Sequence, residues 1–182
     1  MDLLLWRHGD AMNSRLSPNR PLTERGRQQA RRVATWLRAH LPEELRVLAS
    51  PTARAQQTAA ALGLPFESSV LVGPDAGIAD VIAASNWPDE GGAVLVVGHQ
   101  PTLGRLAALL LSGREADWAF KRGSLWWFSN RVRRNETRTV LRTVVAADLI
   151  TDHYLSLGQI EHFSVAVPAA TRAGDQHAHA AF

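Results

Sequence analysis

The sequence predicts an α/β fold, a three-layer sandwich with a mainly parallel central sheet flanked by helices. Two observations carry this. The unbroken apolar runs at Leu3–Leu5 and Ala93–Val97 read as strands buried on both faces, the habit of parallel sheets. Helical stripes with start and stop signals stand between such runs, and strands alternating with helices build a parallel sheet covered on both sides.

The elements follow in order. Asp2 to Trp6 forms the first strand, and a polar loop from Asn13 to Arg20 leads towards Thr23 as an N-cap. Ala30, Val33, Ala34, Leu37 and Leu41 recur at helical spacing, and Pro42 ends that helix. Leu45 to Ala49 is a second strand. Ser50 as N-cap and Pro51 as first helical residue then open a helix that runs to Leu62 and stops at Gly63. A weaker helix spans Asp75 to Ser85. The strand Ala93–Val97 meets Gly98-His99-Gln100-Pro101, and a helix follows from Thr102 to Leu111 with Leu103, Leu106, Ala107 and Leu110 inward and Gly113 as its stop. Ser124–Ser129 and Thr137–Ala147 read as an antiparallel pair. No repeat or linker divides the chain. Residues 1–168 are expected to form one domain, and the small, polar, aperiodic segment Ala169–Phe182 a disordered tail.

Composition narrows the chemistry. With 182 residues, 46% apolar and 20% charged, the chain has the makeup of an ordinary soluble protein with a real core. It contains no cysteine, which excludes disulfides, thiolate zinc sites and cysteine nucleophiles. No apolar run approaches the roughly 18 residues of a membrane span. The first residues lack the basic flank and cleavage site of a secretory signal, so a cytoplasmic location without membrane contact is expected. The net charge is +3, and no basic run is interleaved with aromatics, which argues against nucleic acid as a partner.

In a sheet of this kind, ligands bind outside the carboxyl ends of the strands. The first strand delivers Arg7-His8-Gly9 to that edge and the later one delivers Gly98-His99, while Arg54 stands in the first turn after the second strand. Two histidines and two arginines from three segments suit a phosphoryl group. Arg7 and Arg54 each offer paired donors, a helix N-terminus adds backbone N–H groups, and one histidine can attack phosphorus while the other holds an oxygen. Arginines supply the positive charge, so neither metal nor other cofactor is called for. A metal site of His8, Asp10 and His99 would lack the clustered carboxylates of dimetal centres.

The order of motifs resembles the histidine phosphatase superfamily and, within it, the SixA-type phosphohistidine phosphatases. The matching stretches are Arg7-His8-Gly9-Asp10-Ala11, Arg20-Pro21-Leu22-Thr23 with Gly26, Ser50-Pro51 with Arg54-Ala55 and Gln57-Thr58-Ala59, and Gly98-His99-Gln100-Pro101 with Gly104. The resemblance implies a phosphoglycerate mutase-like fold and a covalent phosphohistidine intermediate on His8. It also implies phosphate contacts from Arg7, Arg54 and His99, with Gly9 beside them. No recognisable glutamate donor motif stands between Arg54 and His99; Asp75, after Pro74, is the first candidate for a proton donor, with a helix cap as its plainer role.

A missing acid favours a P–N bond over a sugar phosphate, because imidazole can leave as a neutral group. The chain also has no large insertion to build a lid. Both points favour a phosphorylated histidine-containing protein as substrate. A small phosphomonoester, or a non-catalytic phosphate-binding role, stands as the alternative. Two surface features remain. Arg131, Arg133, Arg134, Arg138 and Arg142 mark a solvated strand edge or a docking patch, and Trp126, Trp127 and Phe128 cannot all face one side of a strand.

Overall fold

A computed structural model describes residues 1–13, 19–89, 91–133 and 136–150. Six strands form one sheet: β1 (Asp2–Arg7), β2 (Leu45–Ala49), β3 (Glu67–Ser68), β4 (Ala93–Gly98), β5 (Leu125–Arg133) and β6 (Glu136–Val145), in the order β3-β2-β4-β1-β5-β6. The first four in that order run parallel, whereas β5 is antiparallel to β1, and β6 to β5. The sheet is thus mainly parallel with an antiparallel hairpin added on one side.

The pleat sends alternate residues of each strand into separate cores. Leu4 and Trp6 of β1 join Val47, Ala49, Leu95 and Val97 beneath helices α1 (Glu24–Arg38) and α2 (Ala53–Ala60). Leu3 and Leu5 face the other way, with Val94 and Val96, against α3 (Ile78–Ser85) and α4 (Thr102–Ser112). Every residue of β4 is buried, which is why its sequence shows no alternation. Trp126 and Phe128 share the second core, and Trp127 belongs to the first.

Helix boundaries depart from the sequence expectations in three places. Thr23 caps α1 as expected, its hydroxyl accepting from Gly26 N at 3.0 Å, but the helix ends at Arg38, before Leu41. Helix α2 begins at Ala53 after Thr52, not at Pro51; the Ser50 hydroxyl accepts both from Thr52 N at 3.3 Å and from a histidine at 2.8 Å. Helix α3 begins at Ile78, leaving Asp75 outside it. Asp80 takes the capping role instead, accepting from Gly77 N at 2.8 Å. The two-residue β3 and the 3-10 turn at Val70–Val72 carry too little periodicity to be read from sequence.

Among the described residues no helix is long and apolar enough to cross a membrane. The segment 169–182 expected to be a tail, and the end of the expected domain at residue 168, lie outside the described residues. Of the arginine patch, Arg142 pairs with Asp2 at 2.7 Å and lies 4.4 Å from the centre of the Trp127 ring, so it braces the start of β1.

Candidate active site

Register brings the chemistry together. In the β1–β4 ladder Arg7 stands opposite Gly98, so the next residues, His8 and His99, leave the sheet side by side; His8 N donates to Gly98 O at 3.2 Å. The two imidazole centroids are 5.0 Å apart. Strand β2 ends alongside, with Ser50 N donating to Val97 O at 3.0 Å, and the turn after it starts α2 and delivers Arg54. Arg7, His8, Arg54 and His99 line one cavity of about 170 Å³. That is below the usual range of small-molecule pockets, roughly 300–1,000 Å³, and suits a phosphoryl group better than a whole metabolite.

Hydrogen bonds define which nitrogen of each histidine faces the cavity arginines. His8 Nδ1 lies 2.7 Å from Gly9 O, a partner that can only accept, so Nδ1 carries the proton and Nε2 bears the lone pair. The Arg54 Nε–H points at that Nε2 from 3.2 Å. His99 has the opposite tautomer: its Nδ1 accepts from Arg54 Nη2 at 3.4 Å, and its Nε2–H donates to Ser50 Oγ at 2.8 Å. Arg54 is therefore a fork between two imidazoles.

Burial sets their protonation. Desolvation chiefly, with the Arg54, Arg7 and Arg122 charges adding, pushes His8 down to about 4 against the favourable bond to Gly9 O. Desolvation and the His8, Arg54 and Arg7 charges push His99 down to about 3. Both rings are neutral at pH 7, and a neutral imidazole with an exposed lone pair can attack an electrophilic phosphorus. Arg7 is held through Nη1, which donates to Phe120 O, while its buried Nε has no partner among the described residues. A buried donor of that kind is costly unless an acceptor meets it.

Gly9, expected beside the phosphate contacts, is not among the residues that line the cavity. Its N–H donates to Thr58 Oγ1 at 3.1 Å and its carbonyl holds His8, so both of its polar groups are engaged inside the protein. Thr58 in turn donates to Arg54 O at 2.7 Å, linking the two site segments. Glycine is needed at position 9 for closeness: a Cβ there would lie 2.5 Å from Gly26 O at the start of α1. Asp75 is exposed and outside the cavity lining, although the preceding Pro74 belongs to it.

Sequence reasoning left five lining residues unassigned: Pro74 and four others. Arg20 is visible in the Arg20-Pro21-Leu22-Thr23 motif without an assigned role, and Asn19 anchors its loop by accepting from Ala53 N at 2.6 Å. Arg122 arrives because β5 runs antiparallel to β1: Arg7 N donates to Ser124 O at 3.0 Å, which sets the residue before Gly123 beside His8. The pairing partner of β5 was the missing signal. Gln100 and Ala11 complete the additions. Asp10 is the nearest acid by sequence, but its carboxylate is spent on the Arg122 guanidinium and the Thr23 hydroxyl. These two bonds outweigh burial and hold Asp10 below the usual carboxylate range. Among the described residues, no group of three or more His, Asp or Glu side chains is arranged to hold a metal ion.

Known proteins resemble this chain in sequence and fold. The model of the histidine phosphatase superfamily (branch 1) matches residues 3–81. Phosphohistidine phosphatase SixA of Escherichia coli (strain K12) is 36% identical over 122 residues, covering 62% of this chain and 76% of that protein. A solved structure of protein histidine phosphatase SixA complexed with tungstate superposes with a TM-score of 0.65 at 29% identity, covering 81% of this chain and 98% of the other. Phosphoserine phosphatase of Entamoeba histolytica, at 15% identity and a TM-score of 0.60 over 80% of this chain and 97% of its own, shares the fold. By sequence, fold and the order of its motifs, the chain belongs to the histidine phosphatase superfamily and is of its SixA type.

Proposed function

We propose that the chain is a phosphatase that removes phosphate from phosphohistidine of a signalling or phosphotransfer protein, through a phosphoryl intermediate on His8. The observation that carries this reading is the unprotonated Nε2 of His8 facing the Arg54 fork in a cavity sized for phosphate.

In the first step His8 Nε2 attacks phosphorus, the new N–P bond forms, and the substrate's P–N bond breaks. The departing imidazole keeps its electron pair and, protonated on the ring beforehand, leaves neutral. Arg7 and Arg54 hold the non-bridging oxygens throughout, and most of the acceleration comes from this placement of charge. His99 takes up a proton from solvent at Nδ1 as the dianion enters and, as the imidazolium, donates a hydrogen bond to one oxygen, returning the proton to solvent when phosphate departs. In the second step water attacks the phosphoryl group on His8 and passes its proton to a phosphoryl oxygen, the N–P bond breaks, its electron pair returns to Nε2, and inorganic phosphate departs. No metal or other cofactor takes part. A SixA structure is known complexed with tungstate, whose oxygen arrangement resembles that of a phosphoryl group, and this supports oxyanion binding as part of the reading.

The cavity lining favours this substrate over a small phosphomonoester. It contains no carboxylate to protonate an alkoxide leaving group. Asp75, one residue from the lining, is the candidate donor if esters are cleaved. Brief incubation with a labelled phosphohistidine protein, followed by alkaline quenching, should trap an acid-labile, alkali-stable phosphate on His8. His8→Ala should abolish both labelling and turnover. Full turnover in that variant, or turnover only with added divalent metal, overturns the mechanism.

A further inference from the structure

Four guanidinium groups line the cavity, more than one phosphoryl group requires. The two charges of Arg7 and Arg54 alone balance a phosphoryl dianion. Arg20 lines the cavity and makes no hydrogen bond or ion pair among the described residues. Arg122 is fixed by Asp10 through one nitrogen, and its side chain remains 55% exposed. A guanidinium has five N–H donors, so one bond to Asp10 leaves most of them available. Neighbouring cations differ in this respect: Lys121 is matched to Asp148 at 2.6 Å, and Arg27 and Arg31 to Glu24. Arg20 and Arg122 therefore bring positive charge to the cavity beyond that of Arg7 and Arg54.

We propose that Arg20 and Arg122 form a second anion subsite beside the phosphoryl site, which selects substrates carrying a carboxylate next to the phosphorylated residue. The inference rests on the phosphohistidine reading and names the local chemistry of the substrate: an aspartate or glutamate side chain flanking the phosphohistidine. Asp10 is the positioning residue. Held by the Thr23 hydroxyl at 2.9 Å, it fixes Arg122 in place and removes the entropy cost of ordering a long side chain on binding. Partial exposure limits each new ion pair to a modest gain and makes it sensitive to salt.

The test uses three phosphohistidine peptides that differ only in having glutamate, glutamine or lysine beside the phosphorylated residue. The wild-type protein should favour glutamate over glutamine by about fivefold in kcat/KM, and lysine should be the poorest, as two partly exposed ion pairs would give. The difference should lie in KM and shrink towards unity at about 1 M salt, where the Debye length is near 3 Å. Arg20→Gln with Arg122→Gln should bring the glutamate-to-glutamine ratio to about one, and Arg122→Glu should raise the lysine peptide above the glutamate peptide. Equal rates on all three peptides in the wild type, or a ratio unchanged in the double variant, overturns the subsite. If no phosphohistidine peptide is turned over, the phosphatase reading falls. The subsite is then judged on equilibrium binding of the same peptides by fluorescence anisotropy, and equal affinities overturn it.

Discussion

Arg54 directs its Nε–H at His8 Nε2 from 3.2 Å, and its Nη2 reaches His99 Nδ1 at 3.4 Å. One guanidinium thus touches the nitrogen that would attack and the ring that would steady the phosphoryl oxygens. Lysine keeps the charge but loses the fork. Arg54→Lys is expected to slow formation of the phosphoenzyme by on the order of 10²-fold, as loss of a preorganised donor typically does. Rapid-quench labelling measures this, and a loss below about threefold would show that the fork is dispensable.

The two histidines should be visible directly in ¹⁵N NMR spectra. His8 is expected as the Nδ1–H tautomer titrating near 4, and His99 as the Nε2–H tautomer titrating near 3, both far below an unperturbed imidazole at 6.5. Either ring titrating near 6.5 would contradict the burial effect.

The same shifts govern stability against pH. The unfolded chain binds protons at these histidines below pH 6.5, whereas the folded one does so only near 4 and 3. Proton uptake therefore favours unfolding as pH falls from 6.5 towards 4, and stability contributed by each neutral ring is complete above 6.5. For one ring the loss is on the order of 3 kcal/mol. Urea titrations at pH 7 and pH 5 should show this slope, and His99→Asn should flatten it. A pH-independent midpoint over that window would refute the assignment.

Gly26 tests how tightly α1 presses on the nucleophile loop. A Cβ at Gly26 would overlap the backbone of Asp10, which is not a flexible chain end that can move aside. Gly26→Ala is expected to cost about 2–3 kcal/mol, the scale of overpacking, despite alanine's better helix propensity. Thermal denaturation reads the cost, and a stabilised variant would mean that the contact is loose.

Asp75 separates the two substrate classes. Its carboxylate is exposed and outside the cavity lining. Asp75→Asn is expected to leave phosphohistidine turnover within about twofold, because imidazole needs no donor to leave. A drop of tenfold or more on a phosphomonoester alone would identify Asp75 as the proton donor for esters.

The fold and its central site were largely legible in sequence because each depended on short-range signals. Unbroken apolar runs at β1 and β4 are the direct imprint of burial on both faces, and the residues after such strands must emerge at one sheet edge. His8, His99 and Arg54 could be gathered on that ground before any coordinates. Ser50 misled by two residues: its hydroxyl accepts both from Thr52 N, at 3.3 Å, and from His99 Nε2, at 2.8 Å, while the helix itself starts at Ala53. Asp75 misled likewise, since a Pro-Asp pair suggests a helix start that Gly77 and Asp80 in fact supply.

What the sequence determined by itself was five of the six strands, the helices between them and the identity of the groups at their ends. Those follow from periodicity, capping and turn chemistry, which act over a few residues. The tertiary structure decided the relations between distant segments. Antiparallel pairing of β5 with β1 carries Arg122 across 114 positions to His8, and Asn19 ties the Arg20 loop to the start of α2. It also decided the protonation state of both histidines, because desolvation and the charges of Arg7 and Arg54 arise only once these groups are packed together. Register and burial are collective properties of the folded chain, and no local stretch of sequence encodes them alone.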